Sequence, residues 1–148
     1  MARILITGGA GFIGTHTSIV LIENGHELII LDSYVNSSPI ALKRVQEITG
    51  LDGHKARQNF QIVNGDIRDK RTLDKIFTNA NNEGRSIEAV IHFAGLKSVK
   101  ESIKAPLDYW DVNVNGTCCL LSTMLEQKCR TIIFSSSATI YGKAEISP

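Results

Sequence analysis

The apolar run Ile4-Leu5-Ile6-Thr7 stops directly in Gly8-Gly9-Ala10-Gly11-Phe12-Ile13-Gly14, and no other stretch of the chain constrains its fold as tightly. A strand that ends in a glycine turn and opens a helix begins a strand–helix–strand unit whose turn suits an anionic ligand. The spacing assigns Gly8 to the sharp turn and Gly11 to close approach of the backbone to a pyrophosphate. It assigns Gly14 to close packing of helix against sheet. Phe12 and Ile13 fall in the first helical turn, where free N–H groups and the positive end of the helix dipole face the anion.

A second apolar run, Glu27-Leu28-Ile29-Ile30-Leu31, ends in Asp32. A carboxylate at that strand tip accepts hydrogen bonds from the hydroxyls of an adenosine ribose and repels a 2′-phosphate. The residues that follow, Ser33-Tyr34-Val35-Asn36-Ser37-Ser38, include no arginine to welcome that phosphate, so NAD is expected over NADP. The alternative is that Asp32 only caps the next helix.

Strand and helix patterns alternate along the chain. Strands are expected over residues 3–7, 27–31, 60–64, 89–93 and 131–135, and helices over 12–24, 39–49, 70–80 and 108–127. In the first helix Ile13, Thr17, Val20, Leu21 and Asn24 lie at helical spacing and are expected to face the sheet. Residues 50–59 read as the most polar connection, with Lys55 and Arg57 solvated. Short apolar strands alternating with helices predict an α/β fold, a doubly wound parallel sheet (the Rossmann fold) covered on both faces, in the order 3-2-1-4-5. At 148 residues the chain has room for one such domain. A formal charge of +1 gives no signature of a nucleic-acid or membrane partner, and no apolar run reaches a membrane span. The N-terminus enters strand and glycine turn at once, so no signal peptide is expected. Three cysteines, two of them adjacent at 118 and 119, suggest reduced core thiols in a cytoplasmic protein and no metal site.

Ligands of such sheets bind beyond the carboxyl ends of the strands. After the third strand, Asp66 is placed to accept from an adenine amino group, and Asp69 reads as the cap of the next helix. After the fourth strand, the small residues of Phe93-Ala94-Gly95-Leu96-Lys97 leave room for a cofactor, and Lys97 is within reach of a ribose or phosphate oxygen. His92 reads as structural. The fifth strand runs into Ser135-Ser136-Ser137-Ala138-Thr139, a hydroxyl-rich turn where nicotinamide and substrate would meet.

Together these residues resemble the N-terminal half of the UDP-glucose 4-epimerases, of the extended short-chain dehydrogenase/reductase superfamily. The matching stretches are residues 7–14 (TGGAGFIG), 31–32 (LD), 36–37 (NS), 65–68 (GDIR), 92–97 (HFAGLK), 101–102 (ES) and 135–142 (SSSATIYG). Lys100 departs from the pattern, standing where a small residue is common. The resemblance implies an NAD-dependent, reversible oxidation at C4 of a UDP-hexose, interconverting UDP-glucose and UDP-galactose through a 4-keto sugar. Ser137 matches the serine that hydrogen-bonds the 4-hydroxyl. NAD contacts are implied from Gly8, Gly11, Phe12, Ile13, Gly14, Asp32, Ser33, Asn36, Ser37, Asp66, Ile67, Phe93, Ala94, Gly95, Leu96, Lys97 and Asn113. No metal is implied, and the family pairs into dimers.

The family's general base is the tyrosine of a Tyr-x-x-x-Lys pair. Here Tyr34, Tyr109 and Tyr141 are followed four residues on by Ser38, Asn113 and Glu145. We therefore expect an incomplete cofactor domain truncated after about the fifth strand, without its substrate lobe and inactive as an epimerase when alone. Val114, Leu120, Leu121, Met124 and Leu125 would then lack part of their cover, which favours a homo-oligomer. Two alternatives stay open: a stand-alone NAD-binding or sensor module, and part of a related sugar-nucleotide dehydratase or decarboxylase. The latter carries a carboxylate pair beside the serine turn, where Ala138 follows Ser137 here.

Overall fold

A computed structural model describes residues 1–51, 59–137, 140 and 142. Lys55, Arg57, Ala138, Thr139, Tyr141, Lys143, Glu145 and Pro148 lie outside the described residues. Five parallel strands form one sheet: β1 (Arg3–Thr7), β2 (Glu27–Asp32), β3 (Phe60–Asn64), β4 (Ala89–His92) and β5 (Thr131–Phe134). Their order is β3-β2-β1-β4-β5, as the alternation predicts. Registers Thr7↔Leu31 and Thr7↔His92 bring the ends of β1, β2 and β4 level, so the turns that follow them open on one side of the sheet. Among the described residues run helices α1 (Phe12–Glu23), α2 (Pro39–Thr49), α3 (Lys70–Asn82), α4 (Val99–Lys104), α5 (Pro106–Trp110) and α6 (Gly116–Glu126).

Side chains alternate between the two faces of each strand, and the core divides accordingly. Leu5, Ile29, Leu31 and Val90 pack with Leu73, Phe77, Leu120 and Met124 under α3 and α6. Ile4, Ile6, Leu28 and Ile30 pack with Leu42 and Val45 under α1 and α2. The last expectation of cover on both faces fails at the edge: in β5, Ile132 joins the core, but Ile133 and Phe134 are exposed.

Four further expectations need correction. In α1 the predicted stripe is not the buried face: Ile13 and Val20 are more than half exposed and Asn24 is exposed, while Gly14 and Ser18 are buried. Small residues four apart let this helix sit close to the glycine turn, with Ile19, Leu21 and Ile22 filling its flanks. The helix expected over 108–127 begins two residues earlier, as α5, and continues into α6 through a wide π-turn at Asp111–Asn115. Leu120 and Met124 of α6 are buried in the core between the sheet and α3, which leaves Val114 of the π-turn and Leu121 and Leu125 of α6 as the exposed positions. Cys118 is exposed on the outer face of α6, Cys119 is half-buried and only Cys129 is a core thiol.

Helix α4 was not anticipated. Ser98 caps it by accepting from the Glu101 N–H (3.3 Å), and Tyr109 locks it in place by accepting from Ser98 N (3.0 Å) and donating to Glu101 Oε2 (3.2 Å).

Candidate functional site

Beyond the carboxyl ends of the strands lies a cleft of about 520 Å³. Its floor is the glycine turn. Gly8 has φ +69°, and a Cβ there would stand 2.5 Å from Ala94 N, so the turn after β1 and the loop after β4 touch backbone to backbone. Gly14 is equally constrained, because a Cβ would lie 2.7 Å from Gly8 O. Gly11 is freer, meeting only Gly8 O at 3.3 Å, which leaves its outer side open to the cleft. Gly9 adds a constraint the sequence reading missed: a Cβ would strike Ile30 Cγ2 at 2.6 Å.

The four helices that start near the turns differ at their N-termini. Ser38, Asp69 and Ser98 cap α2, α3 and α4 through side-chain oxygens. At α1 the capping position is Gly11, with no side-chain acceptor. The first-turn N–H groups of α1 therefore remain available to an anion, on the floor of the cleft. Asp69 is the cap expected of it, accepting from Arg71 N (3.0 Å) and Thr72 Oγ1 (2.7 Å).

Asp32 stands at the end of β2, only 7% exposed, and acts as a hub. Its Oδ2 accepts from Ala10 N (2.9 Å), while Oδ1 accepts from Tyr34 N (2.9 Å) and Ser37 Oγ (2.8 Å). One carboxylate thus ties the glycine turn to the β2–α2 loop. It does not cap α2, since Ser38 does. A carboxylate has about four acceptor sites. Three are used, so one on Oδ2 is open, and a second becomes available if the Ser37 hydroxyl turns away. That capacity fits a ribose diol.

On the far wall, Asp66 forms a side-on pair with Arg68 through Nε (3.0 Å) and Nη2 (2.6 Å). Arg68 Nη1 also donates to Asp111 Oδ2 of the π-turn (2.7 Å). The Arg68 guanidinium holds the Asp66 carboxyl below the usual carboxylate range. Ile67 is buried between this loop and Gly116.

On the near wall, Asn113 donates from Nδ2 to Leu96 O (3.0 Å) and accepts at Oδ1 from Leu96 N (2.8 Å). Phe93, Ala94, Gly95, Leu96 and Lys97 line the cleft, as do Gly8, Gly11, Phe12, Ile13, Gly14, Asp32, Ser33, Asn36, Asp66 and Ile67. Three of the expected site residues do not line it. Ser37 acts through Asp32, Asn113 acts through Leu96, and Ser137 is exposed two residues beyond Ser135, which does line the cleft. Arg68, Asp108, Val35 and Val112 line it and were missed. The GDIR stretch contained the only available signal, its arginine two residues after Asp66.

His92 is structural, as expected. Thr117 Oγ1 donates to Asn113 O (2.6 Å), so it accepts from His92 Nε2 (3.0 Å), and Nδ1 accepts from Thr7 Oγ1. This fixes the neutral Nε2–H tautomer. Burial, helped by the Lys97 charge, pushes the His92 pKa down to about 4. As pH falls from about 6.5 towards about 4, the unfolded chain takes up a proton the folded chain refuses, so stability is full above that window and drops through it. We expect a loss of about 2–3 kcal/mol between pH 7.5 and 4.5, read from urea midpoints. His92→Asn should flatten that dependence; an unchanged slope would assign it to other groups.

Residues 5–148 match the family profile described as GDP-mannose 4,6 dehydratase. The chain belongs to this family. Among curated relatives it is 48% identical over 145 residues to UDP-glucose 4-epimerase of Bacillus subtilis (strain 168), covering 98% of this chain and 39% of that protein. It is 44% identical over 146 residues to the bifunctional UDP-glucose 4-epimerase and UDP-xylose 4-epimerase 1 of Pisum sativum, covering 99% and 39%. The chain thus spans about 39% of the length of these curated relatives. Among solved structures it is similar to UDP-glucose 4-epimerase from Bifidobacterium longum in complex with NAD⁺ and UDP, with a TM-score of 0.87, 44% identity, and coverage of 99% and 40%. It is also similar to the enzyme from Stenotrophomonas maltophila with bound NAD and formylated UDP-arabinopyranose, with a TM-score of 0.88, 38% identity, and coverage of 100% and 40%. The doubly wound fold is therefore shared along essentially the whole chain. Among the described residues no helix is long and apolar enough to cross a membrane.

Proposed function

We propose that residues 1–148 form the NAD-binding domain of a UDP-glucose 4-epimerase. The observation that carries this is the uncapped N-terminus of α1 opposite the Asp32 hub, both in one cleft. The N–H groups of residues 12–14 receive the pyrophosphate. Asp32 accepts from the adenosine ribose, and its charge disfavours a 2′-phosphate there. Asp66 accepts from the adenine amino group, and Lys97 donates to a ribose or phosphate oxygen. Ser33 and Asn36 line the ribose side, while Ser37 and Asn113 hold Asp32 and Leu96 in place. When bound, NAD supplies the hydride acceptor for C4 of the sugar and returns the hydride to it.

Ser137 hydrogen-bonds the 4-hydroxyl of a UDP-hexose, because a hydroxyl both donates and accepts and so suits the alcohol and the ketone alike. These 148 residues contain no Tyr-x-x-x-Lys pair, and we propose that by themselves they bind cofactor without epimerising sugar. The relatives' names favour epimerase over dehydratase chemistry, as does the Ser137-Ala138 sequence, which lacks a carboxylate. Exposed Val114, Leu121 and Leu125 along one helix support self-association of the chain.

Native mass spectrometry of the purified chain tests the central claim. The expected result is a co-purifying or added NAD that stays bound in preference to NADP. A folded chain that binds neither dinucleotide at millimolar concentration refutes it.

A further inference from the structure

We infer that Asp111 of the π-turn, acting through Arg68, positions Asp66 and thereby sets which purine base the cleft accepts. This rests on the cofactor reading above and extends it to base selectivity. Arg68 grips Asp66 at both oxygens, and its own backbone N–H adds a bond to Oδ1 (2.8 Å). The paired bonds fix the plane of the carboxylate, which a single point charge would not do. Oδ1 then carries two bonds and Oδ2 one, which leaves an acceptor site on Oδ2.

The other end of the guanidinium is held from a different element, 43 residues away. Asp111 Oδ2 accepts from Arg68 Nη1, and Asp111 Oδ1 is steadied by Asn115 Nδ2 (2.9 Å). Gly116, just after the π-turn, allows this approach, because a Cβ there would stand 2.7 Å from Ile67 Cδ1 and 3.4 Å from Arg68 Cγ. Asn113 of the same turn holds the Leu96 backbone on the opposite wall. One wide helical turn thus spaces both rims of the cleft.

A stability role does not account for the pair. Arg68, Asp66 and Asp111 are 41%, 31% and 47% solvent-exposed, and ion pairs this open contribute little to folding. What the arrangement supplies is orientation. An ionised carboxylate held in one plane accepts from the exocyclic amine of adenine and repels a carbonyl oxygen at the same place.

The experiment is a titration of NAD, and of its analogue with the adenine amino group replaced by a carbonyl oxygen, into the chain and three variants. The unsubstituted chain should bind NAD about tenfold or more tightly than the analogue. Asp111→Asn and Arg68→Lys should each bring that ratio to within about threefold, and Asp111→Glu should restore most of it. Two variants on different elements guard against a folding defect in either. A purely structural role would weaken both dinucleotides alike, so variants that keep the ratio overturn the inference. An unsubstituted chain that binds both equally also overturns it. Failure of that chain to bind NAD at all instead overturns the cofactor reading.

Discussion

Replacing Gly8 with alanine should destabilise the chain by about 3 kcal/mol or more and abolish dinucleotide binding. Two separate penalties combine. At φ +69° an L side chain is strained by about 1–2 kcal/mol. The new Cβ would also lie 2.5 Å from Ala94 N and 2.7 Å from Ala94 Cα, and backbone cannot yield as a side-chain tip does. Relief requires the turn after β1 and the loop after β4 to separate, and these are the floor and near wall of the cleft. Gly8 N also donates to Leu31 O (2.8 Å), so the shift would reach β2. For a domain of this size the melting temperature should fall by about 6–12 °C. A thermal melt within about 2 °C of the unsubstituted chain, with NAD binding intact, would show that the glycine turn does not hold the cleft together.

The second large effect belongs to Asp32. Asp32→Ala strips acceptors from the N–H groups of Ala10 and Tyr34 and from the Ser37 hydroxyl, in a site only 7% exposed. Orphaned buried donors cost about 1–3 kcal/mol each, so a loss of about 2–4 kcal/mol is expected after partial rescue by water. Cofactor selectivity should change as well. Losing charge-assisted bonds to the ribose should weaken NAD by about tenfold to a hundredfold. Removing the negative charge should at the same time spare NADP, so the NAD-over-NADP ratio collapses. Isothermal titration with both dinucleotides reads this directly. If Asp32→Ala weakened both by the same factor, Asp32 would be holding loops together and reading no ribose.

The strand order and the glycine turn were legible because both follow from local patterns: apolar runs of four to six residues, and glycines at fixed offsets after one of them. Asp69 as a cap and His92 as a buried structural residue were legible for the same reason. The face of α1 was not. It buries through Gly14 and Ser18, and closeness achieved by small residues leaves no hydrophobic stripe to read. Helix α4 carried a readable Ser98-x-x-Glu101 start, but its six residues are too few for a periodic pattern. The π-turn has no composition of its own. Arg68 and Asp111 meet only because the π-turn is folded onto the β3–α3 loop, and separation of that kind cannot be seen along the chain. For the same reason, the part Asp32 plays as the knot between two loops is not visible along the chain.

The central position of β1 has a consequence for the birth of the chain. Its first partner, β2, follows within one helix, but its second, β4, pairs with it across 85 positions. At a synthesis rate of about 5–20 residues per second, β1 waits on the order of ten seconds for that second partner. Until then, β1 paired only with β2, and later with the β3-β2 pair, presents an unpaired apolar edge, the kind of surface that captures other nascent chains. The same placement that puts Gly8 at the middle of the binding cleft therefore leaves the strand leading into it half-paired until β4 has been made.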